Sequence, residues 1–233
     1  MEPILEFRDL YKIFGKNKAV NGINIKVYPG KIVGLLGPNG SGKTTIFKMI
    51  AGLLKATGGQ VLINGLFPGI ESKSIVSYLP DNDFLDNRLS INECVNMYAT
   101  FYEDFDMNRA MEMIGNLQLD KNSRLRSLSK GNKEKVNLIL AMSRKAKLYL
   151  LDEPIGGVDP AARSYIINTI INNYDPTATI LISTHLISEI ENILDEVIFL
   201  SRGQVMLYNS AENLRMEEKK SVDQIFREVF ACY

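Results

Sequence analysis

The run Gly37-Pro38-Asn39-Gly40-Ser41-Gly42-Lys43-Thr44 keeps the spacing G-x-x-x-x-G-K-[ST], in which each special residue type has a task at a phosphate. Glycines let the backbone curl until successive N–H groups point inward at phosphate oxygens, and a helix starting there adds about half a positive charge at its N-terminus. Lys43 can neutralise the β and γ phosphates of a nucleoside triphosphate. The Thr44 hydroxyl suits Mg2+, an ion that prefers substrate phosphates, water and few protein oxygens. The context fits as well. The apolar run Ile32 to Leu36 reads as a strand entering the loop, and Ile46, Met49, Ile50 and Leu53 recur at helical spacing after it.

A second constellation is acidic. The apolar run Leu148-Tyr149-Leu150-Leu151 delivers Asp152 and Glu153 to the C-terminal end of a strand, where open parallel sheets bind ligands. Asp152 suits Mg2+ and its waters. Glu153 suits the water that attacks a γ-phosphate, a general-base role worth about 10²- to 10⁴-fold in rate. Adjacent acids also end many solvated turns; it is the phosphate loop elsewhere in the chain that tips this pair towards catalysis. His185, the only histidine, follows a strand at 179–183 and emerges at the same kind of edge. A γ-phosphate sensor, or a group that orients Glu153 and its water, would stand there.

Such residues need a sheet beneath them. Ile23, Ile25 and Val27 alternate with polar residues before a turn at Pro29-Gly30, and Gly58-Gly59 precedes a strand at 61–64. Further apolar strand candidates lie at 75–79, 148–151, 179–183, 197–200 and 205–208, so the expected class is α/β with a parallel core. Between Ser90 and Ala146 the pattern turns helical: Tyr98, Phe101 and Tyr102, then Ala110, Met113, Ile114 and Leu117, then Val136, Ile139 and Leu140. We therefore expect a core of residues 1–85 and 145–210, a helical insertion at 86–144 and a helical tail at 211–233. In the tail, Val222, Ile225, Phe226, Val229 and Phe230 share one face, expected to pack on the chain's own core.

Composition narrows the partners. Lys plus Arg and Asp plus Glu number 27 each, so no overall charge points to nucleic acid or an anionic membrane. Cys94 and Cys232 have no C-x-x-C spacing and histidine occurs once, which excludes the usual zinc sites and favours reduced thiols. The N-terminal residues lack the pattern of a secretory signal, and no apolar run approaches the roughly 20 residues of a spanning helix. The chain is not expected to cross a membrane itself.

The order of these motifs, with a further segment Leu128-Ser129-Lys130-Gly131-Asn132 ahead of the acid strand, resembles the ATP-binding subunits of ABC transporters, over about residues 5–208. In that resemblance Gly37 to Thr45 is similar to the Walker A loop, Asp81 falls at the Q-loop position, and Leu128 to Asn132 is similar to the signature. Leu148 to Glu153 is similar to Walker B with its catalytic glutamate, Gly156 to Asp159 to the D-loop, and His185 to the switch histidine. Phe14 is similar to the aromatic residue that stacks on adenine, with Val20 a second contact and Tyr11 a rival. The resemblance implies a P-loop NTPase (RecA-like) core with an N-terminal antiparallel β subdomain and an inserted α-helical subdomain. It also implies ATP and Mg2+ as ligands, with Thr44, Asp152 and Asp81 towards the metal.

The resemblance further implies a dimer, homomeric or heteromeric, in which Ser129 and the Gly131 amide reach the γ-phosphate held by the partner's Walker A loop, with Lys130 and Asn132 beside them. Separately encoded membrane permease subunits would be its partners, and its place the cytoplasmic face of the cell membrane. Lys130 and Asn132 depart from the usual glycine and glutamine, Asp81 from the usual Q-loop glutamine, and Gly156-Gly157-Val158-Asp159 from the commoner D-loop residues. None of these changes touches Lys43, Asp152, Glu153 or His185. An active ATPase is expected, in export by similarity of the loop and tail to exporter ATPases. The alternatives are a soluble ABC ATPase of assembly or scaffolding type, and a nucleotide-dependent module with little turnover.

Overall fold

The computed structural model describes residues 2–82 and 84–231. The strands are β1 Leu5–Phe14, β2 Asn17–Val27, β3 Ile32–Leu36, β4 Gly58–Ile63, β5 Val76–Leu79, β6 Leu148–Asp152, β7 Thr179–Thr184, β8 Glu196–Ser201 and β9 Gln204–Ser210. The α-helices are α1 Lys43–Ile50, α2 Ile70–Ile75, α3 Ile91–Phe101, α4 Met107–Asn116, α5 Lys130–Met142, α6 Pro160–Asn173, α7 Ile187–Ile190, α8 Ala211–Glu218 and α9 Val222–Phe230. Two sheets result: an antiparallel one in the order β2-β1-β4, and a larger one in the order β5-β6-β7-β3-β8-β9. In the larger sheet only β9 runs antiparallel.

The central strands are apolar without interruption because both of their faces are covered. Ile32 and Leu36 of β3 pack into one core, whereas Val33 and Leu35 pack into another on the opposite face. Tyr149 and Leu151 of β6 divide from Leu148 and Leu150 in the same way. One core is closed by α6 and the tail, the other by α1 and the antiparallel sheet. Full burial of one such side chain stabilises the fold by about 1.5–3 kcal/mol. The fold is thus an α/β core with an antiparallel β layer.

Helices α3, α4 and α5 enclose a third core of Ile91, Val95, Tyr98, Met113, Ile114, Ile139 and Leu140. Its boundary with the large sheet is pinned by Arg144. This buried guanidinium pairs with Asp104 at 2.9 Å and donates to the carbonyls of Val76, Ser74 and Lys73, so the charge is matched and the loop ends are tied to β5. Cys94 lies in the helical core, where burial pushes its thiol up to about 11, so it packs rather than reacts. Cys232 lies outside the described residues.

In the tail, Ser221 and Gln224 cap α9 reciprocally, and Ile225, Phe226, Val229 and Phe230 pack on the core, with Phe226 and Phe199 edge to face at 5.4 Å. Leu53 departs from its expectation. Helix α1 ends at Ile50, and Leu53 lies beyond it, 62 % exposed, because Gly52 turns the chain at φ +68°. Residue 75 closes α2 rather than opening β5. Among the described residues no helix is long and apolar enough to cross a membrane.

Candidate active site

Strand β3 ends in the phosphate loop, and the loop's shape depends on glycine at close approaches. A Cβ on Gly37 would lie 2.3 Å from the Leu200 carbonyl oxygen, and one on Gly42, where φ is +112°, would lie 2.4 Å from that of Ala19. Gly42 then caps α1 with no side-chain hydrogen bond, which leaves the first backbone N–H groups of the helix available to a ligand. A cavity of about 320 Å³ opens there, lined by Asn39, Gly40, Ser41, Gly42, Lys43, Thr44 and Thr45 of the loop. Gly37 and Pro38 stand behind it: their carbonyls accept from the Lys43 ammonium at 2.7 and 3.3 Å.

Opposite the loop stand the acids. Asp152, the last residue of β6, is 1 % exposed and aligned with Ser183 of β7, whose hydroxyl donates to its Oδ1 at 2.6 Å. Its Oδ2 is buried with no hydrogen-bond partner. Burial raises the pKa of Asp152, with Asp81 and Glu153 adding to the shift; the Ser183 and Thr44 hydroxyls oppose it. Burial likewise lowers the pKa of Lys43, against the pull of Glu153, Asp152 and Asp81. Metal-binding clusters of three or more His, Cys, Asp or Glu side chains are absent among the described residues.

Glu153 turns away from β6 in the left-handed region at φ +51°, costly for a side chain and held by bonds from its N–H to the Ser183 carbonyl and hydroxyl. Its carboxylate lines the cavity, with Oε1 3.9 Å from the Lys43 ammonium and Oε2 2.9 Å from His185 Nδ1. The His185 backbone N–H also donates to Oε2, at 3.3 Å. The lone histidine and the glutamate, 32 residues apart in the chain, are therefore in contact.

The other expected site residues divide. Phe14, 49 % exposed, lines the cavity, and so does Asp81. Val20 does not. It is fully buried in the core, because the alternation of β2 turns Val20 inward and its neighbour Ala19 towards the cavity with Asn17. Tyr11, the rival to Phe14, lies against Gly22 and Gly58 of the antiparallel sheet. Ser183, Asn17 and Ala19 were not singled out by sequence. Only Ser183 left a signal: it ends the strand expected at 179–183, two residues before His185.

Ser129, Lys130, Gly131 and Asn132 do not border this cavity. They open α5, where the Ser129 hydroxyl accepts from the Asn132 N–H at 3.2 Å, and Gly131 lies against the start of α6. There Asp159 caps α6 through the Ala162 N–H at 2.9 Å, and this bond holds its carboxyl below the usual range. A Cβ on Gly131 would lie 3.3 Å from Asp159 Oδ2.

A family model described as ABC transporter matches residues 20–156. An uncharacterised ABC transporter ATP-binding protein of Methanocaldococcus jannaschii is 29 % identical over 219 residues, covering 92 % of this chain and 80 % of that protein. The lantibiotic transport ATP-binding protein SrtF of Streptococcus pyogenes is 28 % identical over 216 residues, covering 91 % and 94 %. Among solved structures, an ATP-binding subunit of an ABC transporter superposes with a TM-score of 0.87 at 27 % identity, covering 97 % of this chain and 99 % of that one. A dimeric post-hydrolysis ATP-binding cassette bound to ADP and Pi shares the fold, with a TM-score of 0.77 at 21 % identity, covering 88 % and 98 %. With a phosphate loop, a buried acid and a histidine-tethered glutamate gathered at one sheet edge, the chain belongs to the ABC transporter family as an ATP-binding, ATP-hydrolysing cassette.

Proposed function

We propose that this chain is the motor of a transporter whose membrane subunits are separate proteins, and that it works as an ATP-closed dimer. The observation that carries the reading is the division of the two anion-binding helix ends. The α1 end lies in a cavity with Lys43 and Glu153, whereas Ser129 at the α5 end does not line that cavity and caps its helix with its own hydroxyl. A second copy, or a related cassette, would bring its Ser129 and Gly131 amide to the γ-phosphate.

In that closed site the Glu153 carboxylate takes a proton from a water as the water oxygen bonds to the γ-phosphorus. The bond from that phosphorus to the β–γ bridging oxygen breaks, and the electron pair leaves with ADP. Lys43 and the loop amides offset the charge on the phosphates. The His185 contact holds Glu153 Oε2, leaving Oε1 for the water. Thr44 and the unpartnered Asp152 Oδ2 fit Mg2+, with Asp81 at the cavity wall; the ion would supply neutralisation of the β and γ oxygens.

Support for a membrane partner comes from a groove of about 480 Å³ between the large sheet and the helical core, lined by Leu53, Tyr78, Phe84, Tyr98 and Tyr102. With Arg144 already matched by Asp104, the charged residues along it are Lys48 and Lys73, which suits an apolar cytoplasmic segment of the permease carrying an acidic residue. Export is the direction we assign, supported by the relative named for lantibiotic transport. The deciding experiment is the mass of wild type and Glu153→Gln by light scattering with ATP and Mg2+, alongside phosphate release. A stable ATP-dependent dimer of Glu153→Gln without turnover is expected. A monomer that hydrolyses ATP would overturn the two-chain site.

A further inference from the structure

The signature lysine is a cation placed where helix electrostatics disfavours it. Lys130 is the first residue of α5, at the positive end of the helix, and the first turn carries no acid to offset it. Its side chain folds back across the D-loop. A Cβ on Gly157 would lie 2.3 Å from the Lys130 ammonium nitrogen and 3.4 Å from its Cε, so the ammonium rests directly on the glycine backbone, where φ is +68°. Beyond Gly157 the ammonium borders a cleft of about 430 Å³ that it shares with Asp81, Lys133, Glu134, Glu153 and Gly156. Three acids thus face two lysines, and one of the acids is the glutamate bonded to His185.

The segment between Glu153 and α6 is short and held on either side of Gly157. The Gly156 N–H donates to the Glu153 carbonyl at 2.9 Å, Val158 is buried, and Asp159 caps α6. The Lys130 contact therefore lies between the α5 end and the turn that sets Glu153 in its left-handed conformation.

We propose that Lys130 is a positioning residue for hydrolysis that acts within its own chain, carrying the state of the signature turn to Gly157 and Glu153. This rests on the two-chain site above. In such a dimer the signature of one chain serves one ATP and its Glu153 serves the other, so Lys130 links the two sites. Phosphate capture by Ser129 and Gly131 draws the α5 end outward and shifts the ammonium along Gly157, and the second site senses the first.

The test is the ATP dependence of turnover, with Lys130→Gly, Lys130→Arg, Gly157→Ala and the Lys130→Gly/Gly157→Ala pair, each also carried into Glu153→Gln for the dimer assay. Lys130→Gly is expected to keep the ATP-dependent dimer while the Hill coefficient falls from about 2 towards about 1, and Lys130→Arg to retain cooperativity. Gly157→Ala is expected to cost less in the Lys130→Gly background than in wild type, by about threefold or more. Additive losses with an unchanged Hill coefficient, in a chain that still dimerises with ATP, would overturn the role of Lys130 alone. Absence of the dimer in every background would overturn the two-chain site as well.

Discussion

Helices α1 and α5 both begin at a turn fit to hold phosphate, yet they are built in opposite ways. The α1 start is capped by Gly42 with no side-chain bond, wedged against the carbonyl of Ala19, and its Lys43 is only 6 % exposed. The α5 start is capped by the exposed Ser129 through the Asn132 N–H. A helix end that leaves its amides uncapped inside a packed wall is prepared for a ligand whether or not a partner is present. One that satisfies an amide with its own serine is complete as a fold element without a ligand. On the two-chain reading proposed above, one chain carries the Lys43 wall of one site and a detached piece of another.

The comparison breaks most sharply at Lys43. Lys43→Ala is expected to lower ATP turnover by about 10²- to 10³-fold and to weaken ATP binding by the isolated chain, because the phosphates lose their buried counter-charge. Fluorescent-nucleotide titration at concentrations that keep the chain monomeric reads the binding step. Ser129→Ala should separate the two helix ends. Turnover is expected to fall about tenfold or more, while monomer nucleotide affinity stays at the wild-type value and stability drops by about 1 kcal/mol from the lost cap. Equal loss of monomer affinity would place Ser129 in the same site as Lys43.

How much of this was legible without coordinates follows the same division. The α1 site was readable because its chemistry is contiguous: loop, lysine and threonine follow one another, and strand ends announce Asp152, Glu153 and His185. Strand β1 was not readable as a strand. Its alternation of Leu5 and Phe7 breaks at a bulge, with Asp9 at φ +45°, and resumes out of phase at Leu10. The neighbouring doublets Ile166-Ile167 and Ile170-Ile171 blur the period of α6 in the same manner. Val20 was misplaced for a related reason: the side of a strand that faces a ligand is set by register, and one residue of error exchanges Val20 for Ala19.

Asp152 sharpens the comparison through stability. Burial raises its pKa, so the charged form costs folding energy in the nucleotide-free chain. The sign follows: the penalty is fully present above the folded-state pKa, shrinks as pH falls through it, and is gone below the unfolded value of about 3.9. Asp152→Asn removes the charge and keeps an oxygen to accept from Ser183. It is expected to abolish Mg2+-dependent turnover and to raise the melting temperature at neutral pH by about 2–4 °C, corresponding to about 1 kcal/mol. The gain should fade on acidification. A lower melting temperature at pH 7 would mean that Lys43 and the hydroxyls more than offset the burial of the carboxylate.

The smallest effect belongs to the cavity rim. Phe14 presents one ring face to the Lys12 ammonium at 4.9 Å and is half exposed, so its contribution to the fold is slight and its stacking surface is available to a base. Phe14→Ala is expected to raise the KM for ATP about three- to tenfold, in keeping with the roughly 1 kcal/mol of an aromatic stack, and to leave kcat within about twofold. Phe14→Tyr should restore the wild-type KM. A fall in kcat with unchanged KM would show that the rim moves with the catalytic turn, and the base would then have to stack on another part of the cavity wall, at Asn17 or Ala19.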